Sequence, residues 1–111
     1  MIHWARVEEL YEDFGEDAFV DVIEVFMDEA EESLDRLRRA QTPQTHVVEF
    51  HFLKGAALNL GLTEMAEACA RGEREAGAGQ DVTDARDAVL TGFPTACHEL
   101  QQTWRARILP G

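Results

Sequence analysis

Residues 50 to 62 read "FHFLKGAALNLGL" and place Lys54, the only lysine in the chain, three residues after a histidine and directly before a glycine. Every other cationic side chain, histidine aside, is an arginine. A helix advances about 100° per residue, which gathers Phe50, Leu53, Ala57 and Leu60 on one side as an apolar stripe. His51 points nearly opposite that stripe. Lys54 and Gly55 straddle it one turn along, and Val47, Val48 and Leu58 lie within about 60° of its direction. The stretch reads as one helix of a bundle, whose outward face carries a histidine, a lysine and a glycine with an apolar border.

The neighbouring sequence supplies the ends of this helix and its companions. Thr42 followed by Pro43 makes an N-cap and first turn, and Gly61 stops the helix after Leu60. Thr63 is placed to cap a following helix over 64–77, which dissolves in "GAGQ". Asp81 with Asp84 resembles a capping arrangement for a last helix reaching Arg107, and Pro94 should kink or divide it near residues 90–93. Toward the N-terminus, Trp4, Val7, Leu10 and Tyr11 or Phe14 form one face of a short helix over 2–13 that Gly15 ends. A longer helix over 16–40 buries Phe19, Ile23, Phe26, Ala30, Leu34 and Leu37. Its opposite face, Asp21, Glu24, Asp28, Glu31, Glu32 and Asp35, must look at water. No segment alternates with period two for long enough to build a sheet. Connections of a few residues favour antiparallel neighbours, so the expected fold is all-α: an antiparallel up-and-down four-helix bundle with a short additional N-terminal helix, one domain over 1–111.

Charge and composition exclude several function classes. The formal charge of -12 argues against nucleic acid or an anionic membrane surface as partner. Residues 1–35 hold thirteen acidic side chains against Arg6 alone, while residues 36–111 hold nine of each sign. A solvated helix face accounts for that asymmetry; so would selection among charged partners. No stretch resembles a signal peptide or a membrane span, and Cys69 and Cys97 read as reduced thiols, which together suggest a cytoplasmic protein. No metal site is expected: His46 and His51 are five apart, out of phase for a shared ion, and His3 and His98 have no helical partners.

The outward face has a chemical use. A neutral imidazole is a nucleophile, and a cation one helical turn away favours the neutral form by like-charge repulsion. The same ammonium can offset the charge of a phosphoryl group carried by the ring. Glycine within a helix costs about 1 kcal/mol relative to alanine, and at position 55 clearance for another protein's active site would justify it. A packing notch would justify it equally. Spacing alone leaves both open.

The stretch "HFLKGAALNLGL" resembles the signature of histidine-containing phosphotransfer (HPt) domains, H-x-L-K-G with a downstream L-G turn, and His51, Leu53, Lys54, Gly55, Leu60 and Gly61 stand at its matching positions. The resemblance implies a phosphorelay intermediate. His51 would accept a phosphoryl group from a receiver-domain aspartate and pass it to another receiver, with Lys54 compensating charge. Gly55, Val47, Val48, Phe52 and Leu58 would then meet the partner, a response-regulator receiver domain or a hybrid histidine kinase. It implies no cofactor of its own, Mg2+ being supplied by the receiver, no autonomous kinase activity, and a monomer. The chain departs from the pattern at Phe50, where a small residue is common; Phe50 reads as core, and Phe52 as core or partner border.

The turn at residues 61–63 brings residues 69–73 level with His51, so Glu73 is a candidate to orient the imidazole, or else a surface glutamate paired with Arg71 or Arg74. Asn59 reads as a helix-end polar group, and the arginines at 36, 38 and 39 complement a helix C-terminus. A module that docks receiver domains without being phosphorylated is the alternative function. The phosphoacceptor hairpin of a sensor kinase is weaker, since it needs a long dimer seam that the sequence lacks.

Overall fold

The computed structural model describes residues 2–109. Four helices follow one another, α1 (Trp4–Arg39), α2 (Pro43–Leu60), α3 (Thr63–Gly77) and α4 (Thr83–Ile108). Each packs on its neighbours in sequence and α4 closes back on α1, so the four form a bundle about 49 Å long and 20 Å across. α1 is interrupted where the sequence reading ends its first helix: Gly15 alone leaves helical geometry, at φ 79° and ψ 167°, and the element is kinked there. A side chain at such a φ is strained, so glycine is the residue that permits the break.

The core is built from the periodic positions. Phe19, Leu37, Phe50, Leu53, Leu60, Val89, Phe93 and Leu100 are shut off from solvent. Tyr11, Phe19 and Trp104 pack as a ring cluster that joins α1 to α4, with the Phe19 and Trp104 centroids 4.8 Å apart. Phe26, expected in the core, is only partly buried.

Local chemistry sets the ends of α2. Thr42 and Thr45 exchange side-chain to backbone bonds as a capping box, and Pro43 opens the first turn. Gly61 closes the helix at φ 74°, and a Cβ there would stand 2.7 Å from the His3 carbonyl oxygen. That close approach has a function: the His3 amide donates to the Gly61 carbonyl at 2.7 Å, pinning the N-terminus to the α2–α3 turn. The structure corrects two expectations. Thr63 is the first helical residue and Leu62 occupies the capping position, its carbonyl already bonded to the Ala66 amide. Pro94 does not divide α4, because Val89, Phe93 and Leu100 stay seated in the core on both sides of it while the proline ring faces outward. Asp81 accepts from the Thr83 amide and hydroxyl, just ahead of α4, and these bonds hold its carboxyl below the usual range.

A candidate phosphoacceptor site on the α2 and α3 faces

α2 presents His51 outward with its side chain 69% exposed. Val48 and Leu58, one turn before it and two turns after, are 60% and 57% exposed, whereas Val47 is half-buried. They form a continuous outward row with His51, Lys54 and Gly55. Phe52 is 38% exposed and lines a shallow hollow beside His51 with Gly55 and Asn59. α1 completes that hollow with Phe26 and Glu29, two contributors that no local pattern places there. Asn59 is held from the same helix, accepting from Arg6 Nη2 at 3.2 Å.

α3 supplies Glu73, which sits between His51 and Lys54 rather than pairing with Arg71 or Arg74. Its Oε2 lies 2.9 Å from His51 Nδ1, and its Oε1 accepts from Lys54 Nζ at 2.7 Å. The Lys54 hydrogen bond, with a smaller contribution from His51, holds the Glu73 carboxyl below its ordinary range against the opposing effect of burial. An ionised carboxylate only accepts, so Nδ1 carries the proton and donates it, and the lone pair of a neutral ring belongs to Nε2. Arg71 turns instead to Glu75 and Asp84.

Glu73 also changes the electrostatics expected from spacing. Lys54 does not act on His51 as an unscreened like charge, because the carboxylate lies bonded to both and offsets that repulsion. The ammonium remains one turn from the ring, about a third exposed, and able to turn toward an added anion.

Two glycines show how the pair of helices makes this geometry. Gly72 faces Phe50, and a Cβ there would fall 2.5 Å from two ring atoms. The missing side chain lets the bulky Phe50 sink wholly into the α2–α3 contact, next to the residue that reaches His51. Gly55 is different: a Cβ there would meet nothing within 4 Å. Packing inside the chain therefore does not explain Gly55. Cys69 lies buried near the same pair, its thiol pushed up to about 12 by burial, which makes it an inert packing group.

Sequence reasoning missed the polar contact on the inner side of α2. Glu49 is buried and its Oε1 accepts from Ser33 Oγ at 2.8 Å and Arg36 Nε at 3.1 Å. His46 is also buried, with Nδ1 2.8 Å from the Thr42 carbonyl oxygen and its ring stacked on Phe50. Among the described residues, no three His, Cys, Asp or Glu side chains are grouped to hold a metal ion, and no helix is long and apolar enough to cross a membrane.

Comparison with known proteins places these features in a family. No curated protein and no solved structure gives a significant match. The family model described as "Hpt domain" matches residues 21–106, which include His51, Lys54, Gly55 and Glu73. The match spans most of the chain, and the chain belongs to the Hpt-domain family, whose members act in histidine phosphotransfer within two-component phosphorelays.

Proposed function

We propose that the protein is a phosphorelay intermediate in which Nε2 of His51 accepts a phosphoryl group from a receiver-domain aspartate and yields it to another receiver. The observation that carries this reading is the Glu73 bond to Nδ1, which leaves the exposed ring with its lone pair on Nε2. In the forward step that lone pair forms the N–P bond while the P–O bond to the aspartate breaks, and the aspartate departs as carboxylate. The ring gains positive character as the bond forms, and Glu73, accepting from Nδ1–H, offsets it. Lys54 offsets the phosphoryl oxygens. In the reverse step a receiver carboxylate takes the phosphorus and Nε2 recovers its lone pair.

The chain supplies positioning and charge, and the receiver supplies Mg2+ and the remaining catalytic groups. The exposed side chains of Val48, Phe52 and Leu58, with half-buried Val47 and Gly55 beside them, form the apolar part of the receiver contact. We place the protein in the cytoplasm as a monomer and a single domain. The short connections at 40–42, 61–62 and 78–82 support an antiparallel up-and-down order, and the break at Gly15 supports a separate N-terminal helix.

Incubation with a phosphorylated receiver domain tests the reading. Acid-labile, base-stable label should appear on the wild-type chain and be absent from His51→Gln. That variant should keep its fold within about 0.5 kcal/mol, since His51 is outward. A wild-type chain that binds the receiver but takes no label would make it a docking module.

A further inference from the structure

The seam between α1 and α4 is unevenly filled. At one end the rings of Tyr11, Phe19 and Trp104 close it. Farther along, an open groove runs between α1 and α4, with Ala30, Leu34 and Phe93 buried beneath it, Met27 and Cys97 half-buried at its surface, and His98 and Gln101 on its α4 side. Ala30 and Cys97 are small where the other end has aromatic rings, which leaves space between the helices unfilled. Pro94 adds its exposed ring to the margin.

The α1 edge of this groove is acidic in a regular way. Asp28, Glu31 and Asp35 line it, and Asp21 and Glu24 continue the same row toward the N-terminus. The spacing of three, four, three and four residues sets five exposed carboxylates in a nearly straight line along one helix face. Like charges at these separations weaken a helix by some tenths of a kcal/mol each. Arg38, at the far end of the groove, is taken up by Asp35 at 2.6 Å, leaving the Asp28 and Glu31 half strongly negative.

We propose that the α1–α4 groove is a docking surface for a basic amphipathic helix of another protein. An apolar floor with one acidic wall fits a helix that has an apolar stripe flanked by lysine or arginine. The lining from Met27 to Arg38 spans about 16 Å of helix axis, enough for about three turns and apolar anchors at i, i+4 and i+7. A second copy of this chain is a poor occupant, because each copy would bring the same row of carboxylates. In the ring of helices the α1–α4 seam lies across the bundle from the α2–α3 contact that bears His51.

The test uses the full chain and two synthetic peptides of about five helical turns. One has leucine at i, i+4 and i+7 with lysine on the remaining face; the other has the same composition scrambled to remove the apolar stripe. Nuclear magnetic resonance titration of side-chain methyls should show the amphipathic peptide shifting Met27, Ala30 and Leu34 and leaving Val48 and Leu58 unmoved. Asp28→Lys combined with Glu31→Lys should weaken binding at least about tenfold, and so should raising the ionic strength from about 50 mM to about 500 mM. Both substitutions are at exposed positions, and an unchanged melting curve will verify the fold. His51→Gln should bind the peptide as the wild type does, which separates this surface from phosphotransfer. Equal binding of the scrambled peptide would reduce the effect to bare charge and overturn the proposal. Shifts centred on Val48 and Leu58, no binding by either peptide, or self-association through the groove would overturn it too.

Discussion

Two glutamates, Glu49 on α2 and Glu73 on α3, each bridge a hydroxyl or imidazole and a cation across a helix pair, and they serve different ends. Glu49 is sealed between α1 and α2, where Ser33 and Arg36 converge on a single oxygen. Glu73 spends one oxygen on Lys54 and the other on an exposed histidine whose second nitrogen faces water. The hardware is alike, but only the second arrangement leaves a reactive atom over. Burial turns such a bridge into a clamp, whereas exposure beside an imidazole leaves a ring nitrogen open to a partner.

Removing each carboxylate gives the sharpest contrast. Glu49→Ala strands the buried Ser33 hydroxyl and should cost about 1–3 kcal/mol in chemical denaturation while leaving the rate of phosphoryl acceptance by the folded protein unchanged. Glu73→Ala should cost less than about 1 kcal/mol, because its partners can turn to water, and should slow acceptance at least about tenfold. A fall in stability with normal transfer at Glu73 would make it a second clamp and dissolve the distinction.

Lys54→Ala comes next in size. It should shorten the lifetime of the phosphorylated chain, followed by loss of label after the receiver is removed, while acceptance continues through the receiver's own groups. An unaltered lifetime would restrict Lys54 to holding Glu73.

The smallest expected stability change is at Gly55. Gly55→Gln should stabilise the helix by some tenths of a kcal/mol, since the position is open and glutamine is the better helix former. Receiver affinity measured by titration calorimetry should nevertheless fall, because the added side chain stands in the contact. Normal affinity would move the recognition face elsewhere on the bundle.

The sequence made legible what local chemistry decides. Thr42, Pro43 and Gly61 bound α2 because capping and a left-handed turn need only neighbours in the chain, and the 100° rotation then placed His51, Lys54, Gly55, Val48 and Leu58 together. Even Glu73 could be located, since a tight turn fixes which residues of the next helix stand level with His51. What stayed hidden depends on how helices meet. Nothing local singles out Gly72; its role comes from Phe50, which fills the space beside it. Glu49 and His46 are polar and carry no local signal of burial, yet both are buried, the first by partners on α1 and the second against Phe50. Pro94 argued for a kink or a division by local rules, and the division is absent because core packing holds the helix on both sides of it.

The central claim is that Glu73 holds Nδ1 of His51 so that Nε2 receives the phosphoryl group. Nitrogen-15 spectra of the imidazole, recorded before and after exposure to a phosphorylated receiver, read both nitrogens directly. The account predicts a protonated Nδ1 in the free protein and phosphorus attached to Nε2 after transfer, with Nδ1 still protonated. Phosphorus on Nδ1, or phosphorylation at any residue other than His51, would contradict it.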